Sequence, residues 1–211
     1  MNTRRAVALE LVAIGAAALV FVLTFRVRPA YVDFALALVA VALIAASARR
    51  STRLWDAVVA PGDTSKHRAW VASGAFTAVA LLVLVGLAAV NAAGSPQTFA
   101  QRAANWHLVL ALPLYFAWGF AQQYIFQRFL LVRLLHLMPP VAAITLTALA
   151  FSSVHFPRWP VMALVVVACG VWSSIYYRTR TLPPLALSHG LLGSVLHYWV
   201  FGNDLLHAWL P

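Results

Sequence analysis

The sequence predicts an all-α fold, a polytopic membrane helix bundle of about seven transmembrane helices with its N-terminus inside. Of its 211 residues, 63% are hydrophobic and only 9% are charged, a balance that excludes an ordinary soluble domain. The apolar residues form runs that can cross about 30 Å of hydrocarbon at roughly 1.5 Å per helical residue. The basic residues fall unevenly between those runs.

In chain order the runs cover residues 6–25, 31–48, 69–93, 103–126, 141–157, 161–177 and 182–201. The first follows Arg4 and Arg5 like a signal peptide, but its length and its Arg26 and Arg28 flank fit a retained anchor. The first three are rich in Ala, Val and Leu, with Glu10 and Asp33 near their ends. Residues 1–102 are therefore assigned to packing and 103–201 to the core with the chemistry, within a single integral membrane domain, 1–211. From Asn105 to Met138 the apolar pattern continues for 34 residues, about 50 Å of straight helix and more than one crossing. Pro113 can kink it, and residues 129–138 read as an amphipathic segment on the inner surface. Pro139 and Pro140 start the fifth helix, which like the sixth has only 17 core residues.

Orientation follows from Lys and Arg, which concentrate in cytoplasmic loops. With the N-terminus inside, eleven of the 15 basic residues are cytoplasmic and four (Arg26, Arg28, Arg102 and Arg158) are outside, residues 49–68 being the strongest determinant. The net charge of +10 flanks helices, so anionic lipids at the inner face are the expected partners rather than nucleic acid. The bacterial cytoplasmic (inner) membrane is the expected location. Cys169 is the only cysteine, which excludes an intrachain disulfide and reads as a small core residue.

Polar side chains interrupt the later runs: Gln122, Gln123 and Gln127, then His155 in Phe-Ser-Ser-Val-His, then His189 in Leu-Ser-His-Gly. Such groups are expensive in hydrocarbon and mark functional sites. On a helix Gln123 and Gln127 share a face, so their amides can bond across one turn, with Gln122 about 100° around. His189 and His197 fall on one stripe. The plain alternative is that the glutamines are interhelical glue worth about 0.6–2 kcal/mol. His107, His136, His197 and His207 are read as structural or interfacial, and Asp204 as solitary.

No cofactor is predicted. A divalent metal such as zinc has weak support, because two histidines fall short of three protein ligands and His197 is the only available third. The chain lacks His-Glu-x-x-His, Gly-x-Ser-Gly and Gly-x-Gly-Asp. Ser152 and His155 lack a third orienting group. Gln122 and His189 both come about 9 Å in from the inner helix ends, whereas His155, 16 residues past Pro139, comes about 24 Å along an ideal fifth helix. That mismatch requires a strongly tilted helix, one that starts outside the membrane, or different boundaries.

Three blocks in order resemble the CPBP family of intramembrane proteases, which includes CAAX-prenyl endopeptidases and bacteriocin-immunity (Abi) proteins. Gln122-Gln123-Tyr124-Ile125-Phe126-Gln127-Arg128 stands where the family has a Glu-Glu pair followed by Arg. Phe151 to His155 meets Phe-x-x-x-His, and Arg178-Thr179-Arg180-Thr181-Leu182-Pro183-Pro184 leads to His189, with Gly193 at a family Asn position. The resemblance spans roughly residues 118–193. It implies an intramembrane endopeptidase acting on a membrane-embedded or lipidated (CAAX-type) protein, with Gln122, Gln123, Gln127, His155 and His189 at the site.

In the family the first Glu is thought to activate water and the second to pair with the Arg, while the histidines and Asn hold water or the oxyanion. An amide has no useful basicity near pH 7, so a catalytic reading needs His155 or His189 as base, with Gln122 or Gln123 orienting water or donating to the oxyanion. The alternatives are a catalytically inactive protease-like protein that binds a substrate or partner, and a transporter or channel subunit.

Overall fold

The structure is a computed structural model that describes residues 3–24, 66–204, 206 and 207; at 3, 13, 14 and 17–24 the description is of the backbone alone. The expected second span, 31–48, and most of the basic loop after it lie outside the described residues. Those described form helices, turns and bends, with no strand among them. In chain order they are α1 (Thr3–Thr24), α2 (Lys66–Ala93), α3 (Phe99–Ala103), α4 (His107–Gln123), a π-helical segment π1 (Tyr124–Leu131), α5 (Val132–Leu137), α6 (Pro140–Ser153), α7 (Trp159–Thr179), α8 (Pro183–Val195) and a second π-helical segment π2 (Leu196–Val200). Among the described residues, three helical stretches are long and apolar enough to cross a membrane: Lys66–Ala93, His107–Leu137 and Trp159–Thr179.

The chain divides into two compact units, residues 1–62 with 125–173, and residues 63–124 with 174–211. In the first unit α1 packs on α5. Val7 is fully buried, and three residues on, Glu10 accepts a hydrogen bond from the Arg133 guanidinium at 3.0 Å. Arg133 is 0% exposed; it also donates to the Phe129 carbonyl at 3.1 Å and lies 3.6 Å over the Phe129 ring. This corrects the reading of 129–138 as an amphipathic surface segment: Phe129 and Leu131 to Leu135 are buried, the arginine included. The physical reason is that α1 supplies a carboxylate to a cation that would otherwise need water.

The fifth span is also shorter than expected. α6 ends at Ser153, 14 residues from its start, and a tight turn through His155 and Pro157 leads into α7. Pro157 has no N–H and disfavours helical geometry in the residue before it, so the chain leaves the helix there. The turn closes with His155 N–H to the Ser152 carbonyl and Phe156 N–H to the Ser153 carbonyl.

In the second unit α4 and α8 form the most extensive contact, and α2 packs along α8 and π2. Gly119 and Gly190 permit the approach of α4 to α8: a Cβ at Gly190 would lie 2.9 Å from the Tyr115 carbonyl oxygen, and one at Gly119 3.0 Å from the Ala186 carbonyl oxygen. Within a bilayer, association depends on such backbone proximity rather than on apolar burial. α2 presents a stripe of small residues at helical spacing, Ala69, Ser73, Ala88 and Ala92, all buried. Ser73 donates to the Pro184 carbonyl at 2.8 Å and Thr77 to the Ser188 hydroxyl at 2.6 Å, so this helix adds polar bonds to its packing role.

Candidate functional site

The close approach at Gly119 and Gly190 fixes what meets one turn further along. Gln123 follows Gly119 by four residues and shares its face. Its Nε2 lies 3.5 Å from Nδ1 of His189, a long contact between a buried amide and a half-buried imidazole. An amide N–H facing Nδ1 makes that nitrogen the acceptor and leaves the ring proton on Nε2. Gln123 Oε1 is buried with no hydrogen-bond partner. Turning the carboxamide over would bring Oε1 to Nδ1, move the ring proton there and make Nε2 the basic nitrogen. The orientation of the Gln123 carboxamide and the tautomer of His189 are therefore coupled. Gln122, the preceding residue of α4, is half-buried, and its side chain makes no hydrogen bond with the described residues.

Gln127 and His155 belong to the first unit. Gln127 sits in π1, is 0% exposed, and directs Nε2 to Cys169 Sγ at 3.6 Å; its Oε1 is buried without a partner. Cys169 in turn approaches the Thr147 carbonyl at 3.9 Å and the Ser173 hydroxyl at 3.7 Å. Each Gln amide thus finds a use within its own unit, in place of the expected bond from Gln123 to Gln127 across one turn. The sequence reading of Cys169 as a core residue missed this role, and a single cysteine amid apolar residues gave no signal for it.

His155 lies in the turn after α6, not on the helix. Its Nδ1 is 3.2 Å from the Phe151 carbonyl oxygen. A carbonyl only accepts, so Nδ1 carries the proton and Nε2 presents a lone pair. Phe151 is fully buried and braces the imidazole edge-on at 5.5 Å, itself held between Phe126 and Trp172. Burial pushes the His155 pKa below its ordinary 6.5; hydrogen bonding to the Phe151 carbonyl opposes this and nearby Arg158 adds to it. The result is a neutral imidazole with a fixed tautomer at pH 7. Ser152 donates instead to the Met162 carbonyl at 2.9 Å, so the Ser152 and His155 pairing is not formed.

Asp204 is not solitary. It accepts from Asn105 at 3.0 Å, from Tyr198 at 3.3 Å and from the Leu206 N–H at 2.9 Å, and pairs with His107 at 2.6 Å. Burial alone would raise its pKa, but these hydrogen bonds and the His107 ring outweigh that and hold the carboxyl at about 2. Only His107 was legible as structural, since its partner is 97 residues away. Among the described residues, no three His, Cys, Asp or Glu side chains gather where a metal could bind.

Helices of membrane-spanning length and composition, with His and Gln side chains at and beside them, define an integral membrane protein. Residues 103–195, somewhat less than half of the chain, match the model of the family described as Rce1-like, type II CAAX prenyl endopeptidase. Over that segment the chain is similar to the type II CAAX prenyl endopeptidases of the CPBP family. No curated protein and no solved structure matches the chain.

Proposed function

We propose that this protein is an intramembrane endopeptidase of CPBP type, with amides in place of the family's glutamates. In this reading it hydrolyses a peptide bond of a membrane-embedded or lipidated, CAAX-type protein in the bacterial cytoplasmic membrane. The chain is taken to cross about seven times with its N-terminus inside. The observation that carries the proposal is the Gln123 carboxamide on His189 Nδ1, at the positions where the first and third family blocks fall.

With the Gln123 carbonyl turned to Nδ1–H, His189 Nε2 takes a proton from water as the oxygen attacks the scissile carbonyl carbon. Gln122 donates to the oxygen that becomes negative. The C–N bond then breaks, and His189 returns its proton to the leaving amine. His155, with Nδ1–H already fixed by Phe151, is the rival base.

One observation favours a binding protein without turnover. The described carboxylates are committed elsewhere, Glu10 to Arg133 and Asp204 to His107, so the general base must be an imidazole. The two readings separate on comparing the termini of membrane proteins in cells that express the intact chain or a folded His155→Ala, His189→Ala double variant. New termini with the intact chain alone support hydrolysis. Identical termini, together with a prenylated CAAX peptide left uncut in vitro, would leave binding as the function.

A further inference from the structure

A second constellation lies at α3, away from every residue given a role in hydrolysis. The five-residue α3 is fixed by a capping box, with Thr98 N–H donating to Gln101 Oε1 at 2.8 Å and Gln101 N–H to the Thr98 hydroxyl. It connects α2 to the stretch His107–Leu137 that begins with α4, both long and apolar enough to cross a membrane, so connectivity puts it at a membrane boundary. Phe99 and Arg102 are three apart and share a face of α3. The Trp199 ring meets Phe99 edge-on at 5.9 Å, while Arg102 Nη1 donates to the carbonyls of Trp199 at 3.2 Å and Val200 at 2.7 Å. The guanidinium and the indole therefore occupy the same side of α3.

Arg102 is only 5% exposed, yet it has no carboxylate partner among the described residues. Asp204, the described acid of this unit, is saturated by four other donors. The carbonyls at the end of π2 offset part of the charge. Two N–H groups here remain buried with no acceptor among the described residues, Arg102 Nε and Trp199 Nε1. Both are donors and one belongs to a cation, so the missing group is an acceptor with negative charge. The guanidinium packs directly against Gly202, at φ 64°: a Cβ there would stand 2.9 Å from Arg102 Nε and 3.1 Å from the neutral acceptor Gln97 Oε1. A water could take one N–H but would leave the charge unmet.

We propose that Arg102 and Trp199 bind the phosphate of an anionic phospholipid headgroup at the boundary marked by α3, the outer one if the N-terminus is inside. A phosphodiester only accepts, carries the required charge and presents several oxygens to the two N–H groups. At a membrane boundary a lipid is its nearest source. The site does not depend on the peptidase reading.

The test uses the intact chain in detergent, with retained lipid read by native mass spectrometry and folding by thermal unfolding without added lipid. Phosphatidylglycerol, a phosphate-free glucosyl diacylglycerol and inorganic phosphate are the three probes. Trp199→Phe keeps the ring against Phe99 and removes its N–H; Arg102→Lys keeps the charge and removes Nε. Both variants should retain phosphatidylglycerol on the order of tenfold less than the parent, with retention of the glucolipid unchanged. Arg158→Gln, which removes an exposed arginine, should bind like the parent. Equal retention by all variants would overturn the site. Inorganic phosphate that binds alone and displaces the lipid would overturn the lipid as its source and assign it to free phosphate.

Discussion

Gly190 stands so close to α4 that a methyl group there would meet the Tyr115 carbonyl oxygen at 2.9 Å and the Phe116 Cα at 3.0 Å. Neither obstacle is a flexible side-chain end that can swing away, so the two helices touch only because residue 190 has no side chain. The register of that contact places Gln123 on His189 one turn along.

Gly190→Ala should therefore destabilise the protein by about 1–3 kcal/mol through overpacking. It should also weaken the Gln123–His189 contact. Gly86→Ala in α2, where an added Cβ meets nothing within 4 Å, should be neutral or stabilising by up to about 1 kcal/mol. Thermal unfolding of the two variants in one detergent checks the contrast; equal effects would show that the approach is not a constraint.

The Glu10–Arg133 pair gives a second expectation. Glu10→Ala leaves a fully buried guanidinium without its carboxylate and should cost about 3–5 kcal/mol. A Glu10→Leu, Arg133→Met double variant should recover most of that loss, because a well-packed apolar pair avoids desolvating two ions. Unfolding of the single and double variants measures the coupling directly.

His155 sets a pH dependence. Its pKa is lowered in the folded state, so the unfolded chain protonates first as pH falls. The stability gained from burying neutral imidazole is complete above about pH 6.5 and is lost below it, toward the lowered folded value. Should His155 be the base, turnover also falls in that acid range. A His155→Gln variant should abolish both acid limbs, whereas an unchanged profile would exclude His155 from each.

Asp204 behaves in the opposite sense. Its carboxyl is held at about 2 against an ordinary 3.8, so its contribution is complete above about pH 4 and is lost as pH falls toward 2. Asp204→Asn should lower stability by about 1.5–3 kcal/mol at neutral pH, as charge-assisted hydrogen bonds weaken. Melting temperatures of parent and variant should converge at acid pH.

Gln123→Glu tests how the imidazole is directed. A carboxylate on Nδ1–H would fix the proton there and leave Nε2 as base, so peptidase turnover should rise about tenfold or more. The gain should vanish in a Gln123→Glu, His189→Ala double variant. A gain that survives loss of His189 would mean that the new carboxylate acts as the base itself.

Much of the fold was legible because it depends on local pattern. Continuous apolar runs announced α2, α4, α7 and α8 with ends a few residues away from those observed. The boundary at 157 failed because the apolar run continues through Val154 and Phe156, whereas the helix stops before Pro157. Residues 129–138 misled for a related reason: Arg133 among leucines looks like a surface charge until its partner is known. In the site, the polar residues inside apolar runs were visible, but their partners were not.

The sequence by itself determined that the chain is helical, that it belongs in a membrane, and which side chains are too costly there to be idle, since composition and run length set those outcomes residue by residue. Only the tertiary structure decided that Gln123 meets His189, that Gln127 turns to Cys169, and that Glu10 reaches Arg133 across 123 positions. A hydrogen bond depends on approach within about 3.5 Å. Such distances arise from how glycines and small residues let helices pack, which periodicity along one helix does not specify.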